Sequence, residues 1–261
     1  MKIANLPIKE IEKLVSSSPS LELLNELKND KRKGVQRLAN KLLKQREQQL
    51  KLQEQYIKMS VYEKKLHQQG MKVIAGVDEV GRGCLAGPVV AAAVILPKDP
   101  ILGLFDSKKL NAKTRRQLCG QIEEKGQVGI GVVEPHEIDQ YNVYEATKIA
   151  MRKAVEACSP SIDHLLVDAM KLPLPIPQTS VIQGDQKSVS IAAASIVAKV
   201  KRDEIMMNLA KKYPEYGFDR NVGYGTKEHL IALKKYGPTR AHRYSFSPVS
   251  ELASEKWSES R

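Results

Sequence analysis

The segment Val73-Ile-Ala-Gly-Val-Asp-Glu-Val-Gly-Arg-Gly-Cys-Leu-Ala-Gly-Pro88 joins an apolar run to two adjacent acids and a glycine-rich loop. The apolar run has the length and composition of a buried strand, and it ends at Asp78 and Glu79. Adjacent carboxylates repel each other and are costly to desolvate, so they persist there mainly where a cation shares their charge or one of them holds a proton. The segment therefore predicts a divalent metal site at the end of a sheet strand.

Further apolar runs between Gly and Pro turns predict a mixed sheet around this strand. We place strands at residues 73–80, 89–96, 128–133, 164–167 and 179–183. The first three follow each other with Gly and Pro turns, which favours an antiparallel meander, whereas helix-like segments or a Pro-rich loop separate the last two. Long helices are expected at about 135–158 and 188–213, with a helical cap at the C-terminal end. This order indicates an α/β fold.

The first 70 residues differ in composition from the rest and predict a separate helical domain, with residues 71–261 forming the second domain. Residues 1–70 carry 15 Lys or Arg and 8 Asp or Glu, with Leu, Glu and Gln throughout. Basic residues are densest from Lys28 to Lys51, where nine occur with only Asp30 and Glu47. This part is either a nucleic-acid-binding module with a Gln-rich linker or a solvated amphipathic helix that packs on its neighbour.

The overall charge points to a polyanionic partner. The 261-residue chain carries 42 Lys or Arg against 30 Asp or Glu, a net charge of +12, so nucleic acid is the leading partner class. The longest apolar stretch, 89–96, is too short to span a membrane, and the first residues lack a signal-peptide apolar region. We therefore expect a cytoplasmic protein without a membrane partner. Three scattered cysteines argue against a disulfide framework or a CxxC site.

Two further acids lie where other strand-like runs end, Asp168 after Leu165-Leu-Val167 and Asp185 after Ile182-Gln-Gly184. The carboxyl ends of strands are where α/β sites usually open. Oxygen ligands without paired His or Cys favour Mg²⁺ or Mn²⁺ over zinc, and two such ions suit phosphate ester hydrolysis. Asp185 has a second interpretation, because an Asp three residues before Ser188 can cap the following helix.

The loop Gly81-Arg-Gly-Cys-Leu-Ala86 also fits the dinucleotide pattern G-x-G-x-x-G/A. Against that interpretation, residues 88–96 resemble a strand rather than the required helix, and two carboxylates would repel a pyrophosphate. The glycines are better explained as backbone that approaches a ligand, with Arg82 offering a fork to a phosphate. In the C-terminal segment rich in Tyr and basic residues, Tyr224 lies between two glycines and is the best candidate for sugar stacking.

Several distinctive motifs follow one another along the chain. They are Ala75-Gly-Val-Asp-Glu-Val-Gly-Arg-Gly83, Asp106-Ser-Lys-Lys-Leu110, Glu134-Pro-His-Glu-Ile-Asp139, Val167-Asp-Ala-Met170, Gly184-Asp185, Ile191-Ala-Ala-Ala-Ser-Ile-Val-Ala-Lys-Val200 with Arg202-Asp203, and Gly237-Pro-Thr-Arg-Ala-His-Arg243 with Ser245-Phe246. Together, over about residues 72–249, they resemble the ribonuclease HII family, the type 2 ribonuclease H. Arg82 and Asp185 favour this family over ribonuclease HIII, whereas Asn221 departs from the His of many relatives. The resemblance says nothing specific about residues 1–70.

The resemblance implies the ribonuclease H fold, a mixed five-stranded sheet flanked by helices, and assigns site residues. The metal-binding catalytic carboxylates would be Asp78, Glu79, Asp168 and Asp185, the loop Gly81-Arg82-Gly83 would read a 2′-hydroxyl, and Tyr224 would pack on the adjoining sugar.

By the same resemblance, the chain is expected to be an endonuclease that uses Mg²⁺ or Mn²⁺. We also expect it to be a monomer. It would hydrolyse the RNA strand of RNA/DNA hybrids and incise duplex DNA 5′ to embedded ribonucleotides, leaving 3′-hydroxyl and 5′-phosphate ends. Its roles would be ribonucleotide removal and RNA primer removal. Two other classes stay open, a non-enzymatic nucleic-acid-binding module and a nucleotide-cofactor enzyme.

Overall fold

The computed structural model describes residues 6–15, 19–105, 107–159 and 161–259. Its contacts divide the chain into two compact units, Met1–Gln55 and Tyr56–Arg261. The first unit contains helices α1 (Ile8–Leu14) and α2 (Leu21–Lys28) and most of α3 (Lys33–Met59).

The first unit has its own small apolar core, contributed by all three helices. Ile11 of α1, Leu27 of α2, and Val35 and Ala39 of α3 are buried together. Helix α2 begins at Ser20, whose side chain accepts a hydrogen bond from the backbone N–H of Leu23 at 3.2 Å. The helical character predicted for this part of the chain is confirmed.

The division at Gln55 lies earlier than the boundary that composition placed at residue 70. Tyr56 and Met59 pack into the apolar core on one face of the sheet. Leu66, on α4 (Val61–Gln68), packs with Ile74 and Leu166. Residues 56–70 have the same helix-favouring composition as the residues before them, so composition alone could not assign them to the second unit.

The second unit is built on a five-stranded mixed sheet, as predicted. Strands β1 (Ile74–Val80), β2 (Val89–Ile95), β3 (Gln127–Val133), β4 (His164–Asp168) and β5 (Gln178–Val181) lie in the order β3-β2-β1-β4-β5. β1 and β3 each pair with β2 antiparallel, whereas β4 pairs parallel with both β1 and β5. The expected strand bounds differ from these by two residues at most.

Helices cover both faces of the sheet. α6 (Pro135–Cys158) packs on one face, and its first turn is fixed by a capping box between Glu134 and Glu137. α7 (Val189–Lys212) packs on the other face, where a Cβ atom on Gly76 of β1 would collide with the α7 backbone at Ser190. The sequence patterns predicted both helices but not α5 (Ala112–Lys125), which is mostly polar.

The C-terminal part forms a helical cap, as expected, from α8 (Phe218–Asn221), α9 (Lys227–Tyr236) and α10 (Val249–Glu259). Phe218, Leu233 and Val249 are buried in a separate apolar core with Met206 of α7. Across the described residues, no helix combines the length and apolarity that a bilayer span requires.

Candidate active site

Three of the four predicted carboxylates meet at the carboxyl-terminal edge of the sheet. One oxygen atom each from Asp78, Glu79 and Asp168 lies within 4.8 Å of the other two. The ladder between β1 and β4 ends at Val77 and Val167, so these acids lie where the pairing of the two parallel strands stops. Of the residues that the structure describes, no other group of three His, Cys, Asp or Glu side chains meets this distance condition.

Asp78 and Glu79 reach one site from opposite faces of the sheet. Asp78 lies opposite Ala92, which packs in the core beside α7, and Glu79 lies opposite Ala91, which packs in the core beside α6. Neighbouring strand residues normally point to opposite faces. Both side chains can contribute because the site is at the edge of the sheet rather than on either face.

The surroundings of these acids disfavour negative charge. Asp78 is only 4% exposed, and burial raises its pKa well above the ordinary value, with Glu79 and Asp168 adding to the shift. Burial also raises the pKa of Glu79, although the guanidinium of Arg82 opposes this shift from 3.6 Å. A divalent cation would relieve the repulsion between these carboxylates, and their oxygen donors fit Mg²⁺ or Mn²⁺.

Asp185 lies beside this group but does not meet the same distance condition. It is buried on a 3₁₀ turn, Gly184–Gln186, and Gly184 donates its backbone N–H to Asp168 Oδ1 at 2.7 Å. The N-cap of α7 is Ser188, whose hydroxyl accepts from the backbone N–H of Ile191. The capping role considered for Asp185 therefore belongs to Ser188.

Ser195 on α7 contacts a basic turn. Its Oγ lies 3.0 Å from Ser107 Oγ in a buried position. Ser107 begins the 3₁₀ turn Ser107–Lys109, which carries two exposed lysines. Asp106, the first residue of this motif, lies outside the described residues. The contact between Ser107 and Ser195 ties the basic turn to α7.

The two glycines of the loop after β1 have different roles in the fold. Gly81 has a φ of 97°, and a Cβ atom there would collide with Arg202. Gly83 is exposed, and an added Cβ atom would meet no protein atom within 4 Å. The protein itself therefore requires glycine at position 81 but leaves position 83 open.

A buried arginine that the sequence patterns did not identify holds this loop. Arg243 is fully buried and donates to the backbone carbonyls of Gly81, Arg82 and Gly87 at 2.6 to 3.0 Å. Burial lowers the pKa of Arg243 to about 10, so it remains charged at neutral pH. Arg243 belongs to one of the motifs found in the sequence, and this membership was the signal that could have identified it. The carbonyl groups that it binds follow no pattern in the sequence.

A second buried arginine joins the glycine loop to the segment before Tyr224. Arg202 on α7 donates to the carbonyls of Ala86, Pro88 and Val222 at 2.9 to 3.1 Å. The backbone N–H groups of residues 85 and 86 donate to the carbonyl of Gly223. The loop after β1 and the Tyr224 segment are therefore held together by both side chains and backbone.

Tyr224 is 44% exposed, and a pair of buried histidines holds its backbone. The backbone N–H of Thr239 donates to His242 Nδ1, so the proton of the neutral ring is on Nε2 and faces His229 Nε2 at 3.0 Å. His229 then carries its proton on Nδ1, which donates to the carbonyl of Tyr224 at 2.9 Å. The sequence predicted a structural or phosphate-contacting role for these histidines. In the structure both are buried and have structural roles.

Asn221, the departure from the family pattern, has a structural place. Its amide nitrogen donates to the carbonyl of Tyr216 at 2.6 Å, and its amide oxygen accepts from the backbone N–H of Gly223 at 2.8 Å. The side chain therefore shapes the turn that leads into Tyr224.

The dinucleotide interpretation is not supported. The residues after the glycine loop form strand β2 instead of the helix whose N-terminus would hold a pyrophosphate.

The chain is similar to known proteins over most of its length. The family model described as ribonuclease HII matches residues 75–249, and that of the ribonuclease HII N-terminal domain matches residues 7–67. A ribonuclease HII of Geobacillus sp. is 51% identical over 253 residues, which cover 95% of this chain and 91% of that protein. The N-terminal residues, which lie outside the motifs found in the sequence, are thus included in the match.

Two solved structures have a similar fold. Ribonuclease H2 from Pyrococcus horikoshii matches with a TM-score of 0.61 at 24% identity, over 70% of this chain and 98% of that one. Bst-RNase HIII in complex with Mn²⁺ matches with a TM-score of 0.53 at 18% identity, over 72% of this chain and 71% of that one.

The mixed five-stranded sheet, its flanking helices and these structural matches define a ribonuclease H-like fold. The chain belongs to the ribonuclease HII family and is a type HII ribonuclease H.

Proposed function

We propose that this ribonuclease H is an endonuclease that hydrolyses the RNA strand of RNA/DNA hybrids. It also incises duplex DNA on the 5′ side of an embedded ribonucleotide, leaving a 3′-hydroxyl and a 5′-phosphate. The observation that carries this proposal is the position of the exposed Gly83 loop directly after the carboxylates of Asp78 and Glu79. A ribose-reading group and a hydrolytic centre in one segment suit cleavage at a ribonucleotide.

The carboxylates would hold the metal ions. Asp78, Glu79 and Asp168 form the group, and Asp185 would be the fourth ligand because it follows Gly184, whose backbone N–H donates to Asp168. Two Mg²⁺ or Mn²⁺ ions held there would activate a water molecule and stabilise the leaving oxygen of an in-line displacement. The Mn²⁺ complex of Bst-RNase HIII supports this choice of metal by analogy of fold.

The loop Gly81-Arg82-Gly83 would read the 2′-hydroxyl, the group that distinguishes RNA from DNA. The absence of a side chain at Gly83 serves no contact within the protein, which supports close approach by a ligand. Arg243 fixes the backbone of the loop before substrate binds, so the contact costs little ordering.

Tyr224 would pack on the sugar next to the ribonucleotide. Its ring is half-exposed, and its backbone is tied through Gly223 to the residues after the glycine loop. The backbone that carries Tyr224 is therefore held at a fixed distance from the residues after the glycine loop. A fixed distance lets the enzyme select a ribose followed by a particular neighbouring sugar.

Mapping the cleavage products of a duplex with one ribonucleotide tests the proposal. We expect Mg²⁺-dependent incision at a single position, 5′ to the ribonucleotide, with the stated ends. Binding of the duplex without cleavage would contradict the proposal and favour a non-enzymatic binding module. We further infer that the enzyme acts as a cytoplasmic monomer in ribonucleotide and RNA primer removal.

A further inference from the structure

Helix α3 carries a row of basic side chains along one face. Lys33, Arg37, Lys41, Lys44 and Lys51, the basic stripe, are all exposed. With 3.6 residues per turn, these positions fall within an arc of about 80° and extend about 27 Å along the helix. The basic residues that composition placed between Lys28 and Lys51 are thus ordered on a surface.

The apolar side chains of α3 determine which way the stripe faces. Val35 and Ala39 are buried in the core of the first unit, and Leu38 and Leu42 pack against it. These positions lie on the side of the helix opposite the stripe. The stripe consequently faces away from the core of its own unit.

Two other basic residues in this region have structural roles. Arg32 donates to the carbonyl of Leu6 at 2.5 Å and pairs with Asp30 at 2.7 Å. Arg46 donates to the carbonyl of Pro19 at 3.0 Å. Both lie toward the core side of the helix, so they are occupied by the fold and excluded from the stripe.

Little within the first unit neutralises the stripe. Among the described residues, Lys51 is the one stripe residue that forms an ion pair within 4 Å. Its partner is Glu47 at 2.6 Å, and both side chains are largely exposed. Such an exposed pair is weak, and Lys51 can readily exchange Glu47 for another anion. Residues 1–55 contain twelve basic and seven acidic side chains, so the unit as a whole is positive.

We propose that the basic stripe binds phosphates of the nucleic-acid duplex that the catalytic unit cleaves. The inference rests on the proposed function for the identity of that duplex. A membrane-bound helix would insert its apolar face in lipid, but the apolar face of α3 is buried in protein. A single-strand site would need aromatic platforms, and the stripe has none. A row of cations about eight base pairs long suits the regular backbone of a duplex.

Equilibrium binding by the full-length chain tests the stripe. The stripe variant is R37Q/K41Q/K44Q, and the matched control K9Q/K28Q/K31Q removes three exposed lysines of the same unit that lie off the stripe. Affinity for a fluorescent 30-base-pair duplex with one ribonucleotide is measured without divalent metal between 50 and 300 mM KCl. Thermal unfolding midpoints and cleavage at saturating substrate are measured in parallel.

We expect the stripe variant to lose about 2 to 3 units of the slope of log K against log salt, because each phosphate contact contributes about 0.9. Its cleavage rate at saturating substrate and its unfolding midpoint should match those of the control. Equal salt slopes in the two variants would overturn the proposal, as would a loss of binding to anionic vesicles without a loss for the duplex. A wild-type chain that binds the duplex but does not cleave it would refute the proposed function while leaving the slope comparison valid.

Discussion

Arg243 donates from Nη1 to the backbone carbonyl of Arg82 at 2.8 Å. The fully buried side chain of Arg243 therefore fixes the backbone of an exposed residue beside the carboxylates of Asp78 and Glu79. The side chain of Arg82 remains directed toward Glu79, with Nη1 3.6 Å from Oε1. The segment between α9 and α10 thus helps to fix the geometry of the loop after β1.

Replacing Arg243 by Lys should weaken both the loop and the protein. Lys keeps the charge but cannot reproduce the planar fork that reaches the carbonyls of Gly81, Arg82 and Gly87. Leaving buried carbonyls unpaired should lower the free energy of unfolding by about 2 to 4 kcal/mol. Urea unfolding measures this change. Arg152→Lys, at an exposed ion pair on α6, is the control and should change stability by less than about 0.5 kcal/mol. Equal effects of the two substitutions would show that the fork is unimportant.

Gly83→Ala separates substrate contact from folding. An added Cβ meets no protein atom within 4 Å, so the unfolding midpoint should be unchanged or slightly raised. If the backbone at position 83 contacts the ribose, incision at a single ribonucleotide should fall by at least about tenfold, the loss expected for about 1.4 kcal/mol of lost transition-state binding. Steady-state cleavage assays measure this loss. Gly81→Ala should instead destabilise the fold, because its Cβ would collide with Arg202. Wild-type cleavage by Gly83→Ala would exclude close approach at this residue.

Tyr224→Ala should reduce cleavage at single ribonucleotides more than it reduces thermal stability. The ring is 44% exposed, so its removal leaves little cavity in the core. Tyr224→Phe keeps the stacking face and should retain most of the activity. Cleavage rates and unfolding midpoints of both variants decide the matter. Parallel losses of rate and midpoint in Tyr224→Ala would assign the residue to packing.

The buried histidine pair predicts a loss of stability in mild acid. Burial and the neighbouring His229 lower the pKa of His242 from 6.5 to about 3, and burial also lowers the pKa of His229. The unfolded chain therefore binds protons below pH 6.5 that the folded chain rejects. The contribution of His242 to stability is complete above pH 6.5 and falls by up to about 1.4 kcal/mol for each pH unit toward its folded pKa.

Urea unfolding at pH 7, 6 and 5 measures this dependence. The difference between the wild type and His242→Gln isolates the histidine from the carboxylates, which the two proteins share. The wild type should lose its advantage over the variant as pH falls. A constant difference across this range would contradict a neutral buried pair.

The strand ends and the acids could be predicted because their signals are local. An apolar run that stops at Asp78-Glu79 shows both where β1 ends and where charge collects, and Asp168 shows the same at the end of β4. The alternation of short runs with turns gave the antiparallel meander. Each of these signals is contained in a few consecutive residues.

The supports of the site could not be predicted, because their partners are distant in sequence or are backbone atoms. Arg202 and Arg243 bind carbonyl oxygens, which every residue has, so nothing in the composition of the loop indicates them. His229 and His242 are 13 residues apart and meet only because α9 and the following segment fold back. Likewise, the lysines and arginines between Lys28 and Lys51 divide into stripe and structural residues only when the buried face of α3 is known.

We propose that the acids clustered around Asp78 are the catalytic centre. Asp78→Asn retains an acceptor for the backbone N–H of Glu79 and removes a charge whose burial is unfavourable, so the fold should be kept or slightly stabilised. Asp99→Asn, at an exposed loop acid, is the matched control and should behave like the wild type. The decisive measurement is the Mg²⁺-dependent cleavage rate on a duplex with one ribonucleotide. We predict no detectable turnover by folded Asp78→Asn, and cleavage at the wild-type rate would show that Asp78 is not catalytic.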